Sequence, residues 1–184
     1  NAEVGKWSGG VWNMAFIGTE GAPAAHCGKK GGLPLVNVPS TPVIAEKPFI
    51  SIGADGRYTL HVPAAKRDRV GADFEPGLAI SFDQVYVAKD TDTAEAINAQ
   101  LAKGLHVVLS AGVYSLDAPL KLDRDNQVLL GLGLATLVAE AGTPAVHVGN
   151  VDGVRVAGVL LQAGAQDSPS LLEWGDGSHP GNPQ

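Results

Sequence analysis

The hydrophobic pattern of the chain changes character near residue 90. From Leu105 onward the apolar residues come in short runs, HVVLS, PLKL, QVLLGLG, ATLVAE, AVHVG and GVRVAGVLLQAG, separated by Gly, Asp and Asn. Each run is too short for a helix and rich in Val and Leu, so each predicts a strand. Just upstream, TDTAEAINAQLAKG sets Ala94, Ile97 and Leu101 on one helical face. Asp92 with Glu95 forms a capping-type start, and Lys103-Gly104 supplies a cation and a C′ glycine at the end. This predicts a helix of about three turns with one narrow apolar stripe.

A repeat organises the strands. NQVLLGLG at 126–133 can be laid over DGVRVAGV at 152–159, which places Val128 on Val154 and Leu130 on Val156, 26 positions apart. Leu122 and Val148 in the preceding strands stand at the same offset. Two consecutive strand pairs repeating together is a solenoid signal. Parallel strands stacked coil on coil, with Val, Leu and Ile inside and Gly, Asn and Asp at the corners, make a β-helix. A single helix with one apolar stripe then suits a lid on the first coil, where bare strands would otherwise invite aggregation.

The first half reads differently. VWNMAFIG carries apolar groups at both parities and predicts a strand buried on both sides. The first ten residues offer it no sheet neighbours, so either it pairs with later strands or residue 1 is not the true start of the protein. KPFISIGADGRYTLHVP alternates on either side of Asp55-Gly56 and predicts a β-hairpin over 48–63. AAKRDRVGADFEPGLAIS, 64–81, is polar and broken by Gly and Pro, which predicts a loop or linker with a boundary in it.

Composition supports a turn-rich, mostly β protein: 184 residues, 45% hydrophobic, 17% charged, 24 Gly and 12 Pro. The formal net charge of -6 argues against nucleic acid as a partner. Lys29-Lys30 and Lys66-Arg67-Asp68-Arg69 read as solvated loop charges. Cys27 is the only cysteine, so no intrachain disulfide forms, and with His26 it reads as part of a glycine-rich loop. No apolar stretch is long enough for a membrane span. The opening NAEVGKWSGGVWN is not a signal peptide, so if the protein is exported its signal lies elsewhere.

The stretch DTDTAEAINAQLAKGLHVVLSAGVYSLDAPLKLDRDNQVLLGLGLATLV resembles the entry of a pectate-lyase-like right-handed parallel β-helix, over about residues 90–164. VWNMAFIGTEGAPA and TPVIAEKPFISIGADGRYTLHVPA resemble a group of secreted microbial two-β-helix proteins, often labelled as carrying coagulation-factor 5/8-type domains. Their overall plan is similar to that of exo-β-1,3-glucanases. The resemblance implies an all-β fold with a short N-terminal capping helix. Residues 1–82 would be the end of a preceding β-domain plus hairpin and linker, and 83–184 the cap helix and first coils. It also implies catalytic carboxylates several coils beyond the cap, outside this chain.

Glycoside hydrolysis needs two carboxyl groups flanking the scissile bond. The late cluster LLEWGDGSHPGNP holds the weak catalytic candidates Glu173 and Asp176, with Trp174 and His179 as candidate substrate contacts. The alternative for this cluster is a corner loop with solvated acids. Asp123, Asp125 and Asn126 fit turn chemistry better than a cation site, and GLG at 131–133 fits a coil corner better than a phosphate loop. His61, His106 and His147 read as ordinary strand positions. No metal or cofactor is expected.

The favoured function is part of a secreted, extracellular glycoside hydrolase acting on β-glucan or a related polysaccharide. A polysaccharide lyase on the same scaffold, a non-catalytic glycan-binding or adhesion β-helix, and a purely structural segment are the alternatives.

Overall fold

The structure, a computed structural model, describes residues 2–6, 15–24, 35–72, 77–175 and 177. The strands, numbered along the chain, are β1 (Ala2–Glu3), β2 (Ala15–Ile17), β3 (Thr19–Glu20), β4 (Val36–Val38), β5 (Thr41–Ile44), β6 (Phe49–Ile52), β7 (Tyr58–Val62), β8 (Lys66–Arg69) and β9 (Leu78–Ser81). Then come β10 (Val85–Ala88), helix α1 (Ala94–Ala102), β11 (His106–Leu109), β12 (Val113–Leu116), β13 (Leu120–Leu122), β14 (Val128–Ala139), β15 (Val146–Val148), β16 (Arg155–Ala163) and β17 (Leu172–Trp174). The chain folds as two compact units, residues 1–46 with 63–77, and residues 47–62 with 78–184.

The smaller unit is a set of two-stranded ladders: β1 with β3 and β2 with β4, both parallel, and β5 with β8, antiparallel. In the described part of VWNMAFIG, Phe16 is buried while Ala15 and Ile17 are exposed, so this portion is buried on one side and not on both. Its described part pairs with a later strand, β4. Lys66-Arg67-Asp68-Arg69 is a strand and not a loop, because pairing with β5 satisfies its backbone where its side chains give no apolar signal. Residues 25–34, with His26, Cys27, Lys29 and Lys30, lie outside the described residues.

In the larger unit, β11, β14 and β16 lie side by side in parallel after β10, with Val107 opposite Leu129 and Leu129 opposite Val156. Each chain then bends into a second sheet, where Tyr114 stands opposite Leu137 and Leu137 opposite Leu161. A third sheet stacks β13, β15 and β17. Together these make three coils of a right-handed parallel β-helix. Leu109, Tyr114, Leu116, Leu122, Leu129, Leu137 and Val148 fill its interior.

The 26-residue offset holds through the third sheet, but the first sheet departs from it. Val128 stands opposite Arg155 and Leu129 opposite Val156, one residue away from the alignment read from sequence. The corner Gly149–Val154 has one residue more than the corner Asp123–Gln127. Both pass through a left-handed residue, Asn126 at φ 61° and Gly153 at φ 71°. Val154 therefore takes the inward position of Gln127, since a one-residue slip exchanges the two faces. Further on, Leu130 faces Ala157 and Ala135 faces Val159, so GLGL at 131–134 bulges against the single Gly158. A Cβ on Gly131 or Gly158 would run into the other's carbonyl oxygen, which is why both corners carry glycine.

Helix α1 carries the predicted stripe, with Ala94, Ile97 and Leu101 all buried in the interior cluster. Its N-cap is Thr93, whose Oγ1 accepts from Ala96 N, and not Asp92. Asp92 is used one turn earlier, accepting from Lys89 N at 3.0 Å and from the Tyr86 hydroxyl at 2.8 Å. Three polar side chains tie the lid to the coils. The Asn98 carboxamide donates to Pro119 O and accepts from Lys121 N, as a neighbouring strand would. Gln127 Nε2 donates to the carbonyls of Leu101 and Leu105, and Arg124 Nη2 donates to that of Ala102, so the open end of the helix is closed.

The predicted hairpin forms as β6 and β7, with Gly56 at φ 77° in the turn. The segment 64–81 is not a plain linker: besides β8 it holds β9, which pairs antiparallel with β7. This three-stranded sheet covers the outer face of the first β-helix sheet. Leu60 and Ile80 are buried there against Val108, Val128 and Leu130.

Candidate functional site

Alternation along a strand decides what a β-helix shows to solvent. In the third sheet Leu120, Val146 and Leu172 stand in one column and Leu122, Val148 and Trp174 in another, both on the inward parity. The column between them, Lys121, His147 and Glu173, faces outward. His147 Nδ1 and Glu173 Oε2 are 3.1 Å apart, with side chains 21% and 48% exposed. The pair therefore links the second and third coils on a solvent-facing surface. An imidazole hydrogen-bonded to a carboxylate can hold or pass a proton.

Glu173 and Trp174 are strand residues of β17 and not part of a corner loop. Their parities are opposite, so they do not share a face. Trp174 stacks in the inward register over Val148 and remains 54% exposed. It lines a polar hollow of about 230 Å³ with Asn150, Asp152, Arg155 and Gly175. Arg155 is held there through Nη1, which donates to the carbonyls of Gly153 and Val154. Asp176 and His179 lie outside the described residues. Among the described residues, then, Glu173 meets a histidine and not a second carboxyl group.

The partner of Glu173 was within reach of sequence reasoning. The 26-residue offset that relates Leu122 to Val148 also carries Lys121 to His147 and His147 to Glu173. Read alone, His147 gave no signal.

The other polar candidates have structural roles. Asp125 Oδ1 accepts from Asp152 N at 2.8 Å, so it bonds the next coil's backbone in place of its own turn. His61 stacks on Phe49, with ring centroids 4.6 Å apart, and shares a 2.7 Å hydrogen bond with Ser51 Oγ. Tyr114 OH donates to the carbonyls of Ala88 and Ser110, and burial pushes its phenol above the usual range. The Asp92 carboxyl is held below its usual range by the Lys89 amide first and by Tyr86 second. His106 is pushed down by burial, and its Nδ1 is enclosed without a partner. Among the described residues no group of three or more His, Cys, Asp or Glu is arranged to hold a metal ion. No described helix is long and apolar enough to cross a membrane.

Comparison with known proteins places this architecture. Residues 85–183 match the LAM55 pectate lyase-like domain family. The whole chain is 43% identical, over 191 aligned positions, to an exo-beta-1,3-glucanase of Streptomyces sp. (strain SirexAA-E / ActE), of which it covers 31%. Two solved structures of sacteLam55A from Streptomyces sp. SirexAA-E, one of them a variant in complex with glucose, are similar to it at a TM-score of 0.84 and 42% identity. They match 99% of this chain and 34% of their own. The chain thus spans about a third of the length of the curated relative and the solved structures it matches.

Proposed function

The chain belongs to the LAM55 pectate lyase-like family, and from that premise we propose that it is part of a glycoside hydrolase acting on β-1,3-glucan. The observation that carries this reading is the 43% identity, across all of this chain, to a relative described as an exo-beta-1,3-glucanase. On this reading residues 83–184 supply the lid and opening coils of the enzyme's β-helix, and the two carboxyl groups that hydrolysis requires stand in other coils. Among the described residues Glu173 pairs with His147 and not with a second carboxyl group. Glucan polymers do not cross membranes, so the enzyme acts outside the cell.

The test is product analysis with the complete protein. Incubation with soluble β-1,3-glucan is expected to release glucose, with little release from a β-1,4-glucan. Unsaturated uronate products from polyuronides would replace the hydrolase by a lyase. Binding of β-1,3-glucan without any released sugar would reduce the protein to a glycan-binding module. Secretion is checked by measuring the same activity in culture medium and in washed cells.

A further inference from the structure

The corner that carries the chain from the third sheet to the first is hollowed on its outer side. A cleft of about 890 Å³ opens there, with Gln84, Lys103, His106, Asp123, Arg124 and Asp125 among its walls. That is within the size range of small-molecule sites. A second hollow of about 560 Å³ adjoins it, sharing Asp123 and Arg124 and reaching Asn98 and Lys121. We propose that this corner cleft is a glycan-binding subsite that takes pyranose units of an extended neutral glucan. The inference rests on the β-1,3-glucan reading above and assigns a place on this chain to that substrate.

Charge selects the ligand class. Two cations, Lys103 and Arg124, face two carboxylates, Asp123 and Asp125, in the larger hollow, with Lys121 in the smaller one, so the larger hollow carries no net charge to favour an ion. Vicinal hydroxyls both donate and accept, and a wall that alternates acceptors with donors matches them. Asp123 has no hydrogen bond or ion pair among the described residues. Asp125 spends one oxygen on Asp152 N and keeps the other. Burial keeps the His106 ring neutral near pH 7, so it can meet a hydroxyl as either donor or acceptor.

The walls are also preformed. Arg124 donates through Nη2 to Ala102 O at 2.7 Å and through its backbone N to Gln127 Oε1 at 3.2 Å. Gln127 is itself locked beneath the helix by two carbonyls. A ligand entering the cleft therefore orders little of the protein, which favours binding. The two joined hollows suit a chain of sugars better than a single ring.

The experiment uses the complete protein and a thio-linked, hydrolysis-resistant β-1,3-gluco-oligosaccharide of six units. Hydrogen–deuterium exchange is expected to slow around 103–106 and 123–127 on adding it. Asp123→Asn, which keeps the size of the side chain, and His106→Ala are each expected to weaken that protection at least tenfold in ligand concentration. Exchange around 129–130 and 137–139, measured without ligand, checks that both variants remain folded. Protection confined to other coils, or unchanged in both folded variants, overturns the proposal. If glucan is hydrolysed and the corner is not protected, this inference alone fails; if glucan is neither hydrolysed nor bound, the functional reading fails with it.

Discussion

The interior of the β-helix and the layer outside its first sheet are built from the same strands facing opposite ways. In β11, Val107 and Leu109 point inward and Val108 outward; in β14, Leu129 points inward, and Val128 and Leu130 outward. The inner cluster gathers residues from every coil and is closed from one side by α1. The outer one depends on a three-stranded antiparallel sheet that contributes two buried side chains, Leu60 and Ile80. Beside it an apolar pocket of about 560 Å³ opens between Phe49, Tyr58 and Phe82 on one wall and Val87, Val108 and Leu130 on the other. One core is a stack that each coil extends; the other is a patch held by a single supersecondary element. The first fixes the register on which outward groups such as His147 and Glu173 depend, while the second leaves that register untouched.

Truncation separates the two most strongly. Leu129→Ala is expected to cost about 3–5 kcal/mol, because coils above and below prevent the cavity from collapsing. Leu60→Ala is expected to cost about 2–3 kcal/mol, since the outer sheet can settle towards the space left. Denaturant unfolding of both variants in the complete protein measures the difference, and equal losses would mean that the two clusters act as one core.

The latch beneath the inner core comes next. Gln127→Leu keeps the bulk but removes the side-chain donor to the carbonyls of Leu101, which keeps Gly104 N, and of Leu105, for about 1–3 kcal/mol. The loss should appear as faster amide exchange in 97–105 with the outer sheet unchanged. Thr93→Ala removes the helix N-cap and should cost about 1 kcal/mol. Asp92→Ala, by contrast, should disturb the Lys89 turn and not the helix start, which locates the cap by experiment.

The smallest effect is that of pH on His106. Its folded pKa lies below the ordinary value of 6.5, so the unfolded chain takes up the proton first as pH falls. The contribution of this group to stability is complete above 6.5 and is lost as pH falls through the lower folded value. His106→Ala should flatten the decline in unfolding midpoint between about pH 7 and pH 5. An unchanged slope would remove His106 as its cause.

The inner core was legible in the sequence and the outer one was not, for a physical reason. Stacked coils repeat, so Leu122 and Val148 announce each other at a fixed offset, and α1 shows its buried stripe at helical spacing. The hairpin was equally plain from Asp55-Gly56, but nothing local says which surface it covers. Strand β9 carries one buried residue, Ile80, and β8 none, so their pairing is decided by neighbours distant in sequence. The one-residue slip at Gly149–Val154 leaves no mark in the sequence, because Val128, Leu129 and Leu130 offer apolar groups at both parities and Val154 and Val156 can be laid over either set. Of the site, Glu173 was visible as an acid and Trp174 as an aromatic. That they face opposite ways follows only from the register of β17 against β15.

The claim that two independent cores share one set of strands is tested most directly by hydrogen–deuterium exchange on the complete protein with and without Leu60→Ala. The account predicts faster exchange in 50–52, 58–62 and 78–81, with 107–109 and 129–130 as slow as before. Equal acceleration in 107–109 and 129–130 would contradict it, because the coils would then depend on the sheet that covers them.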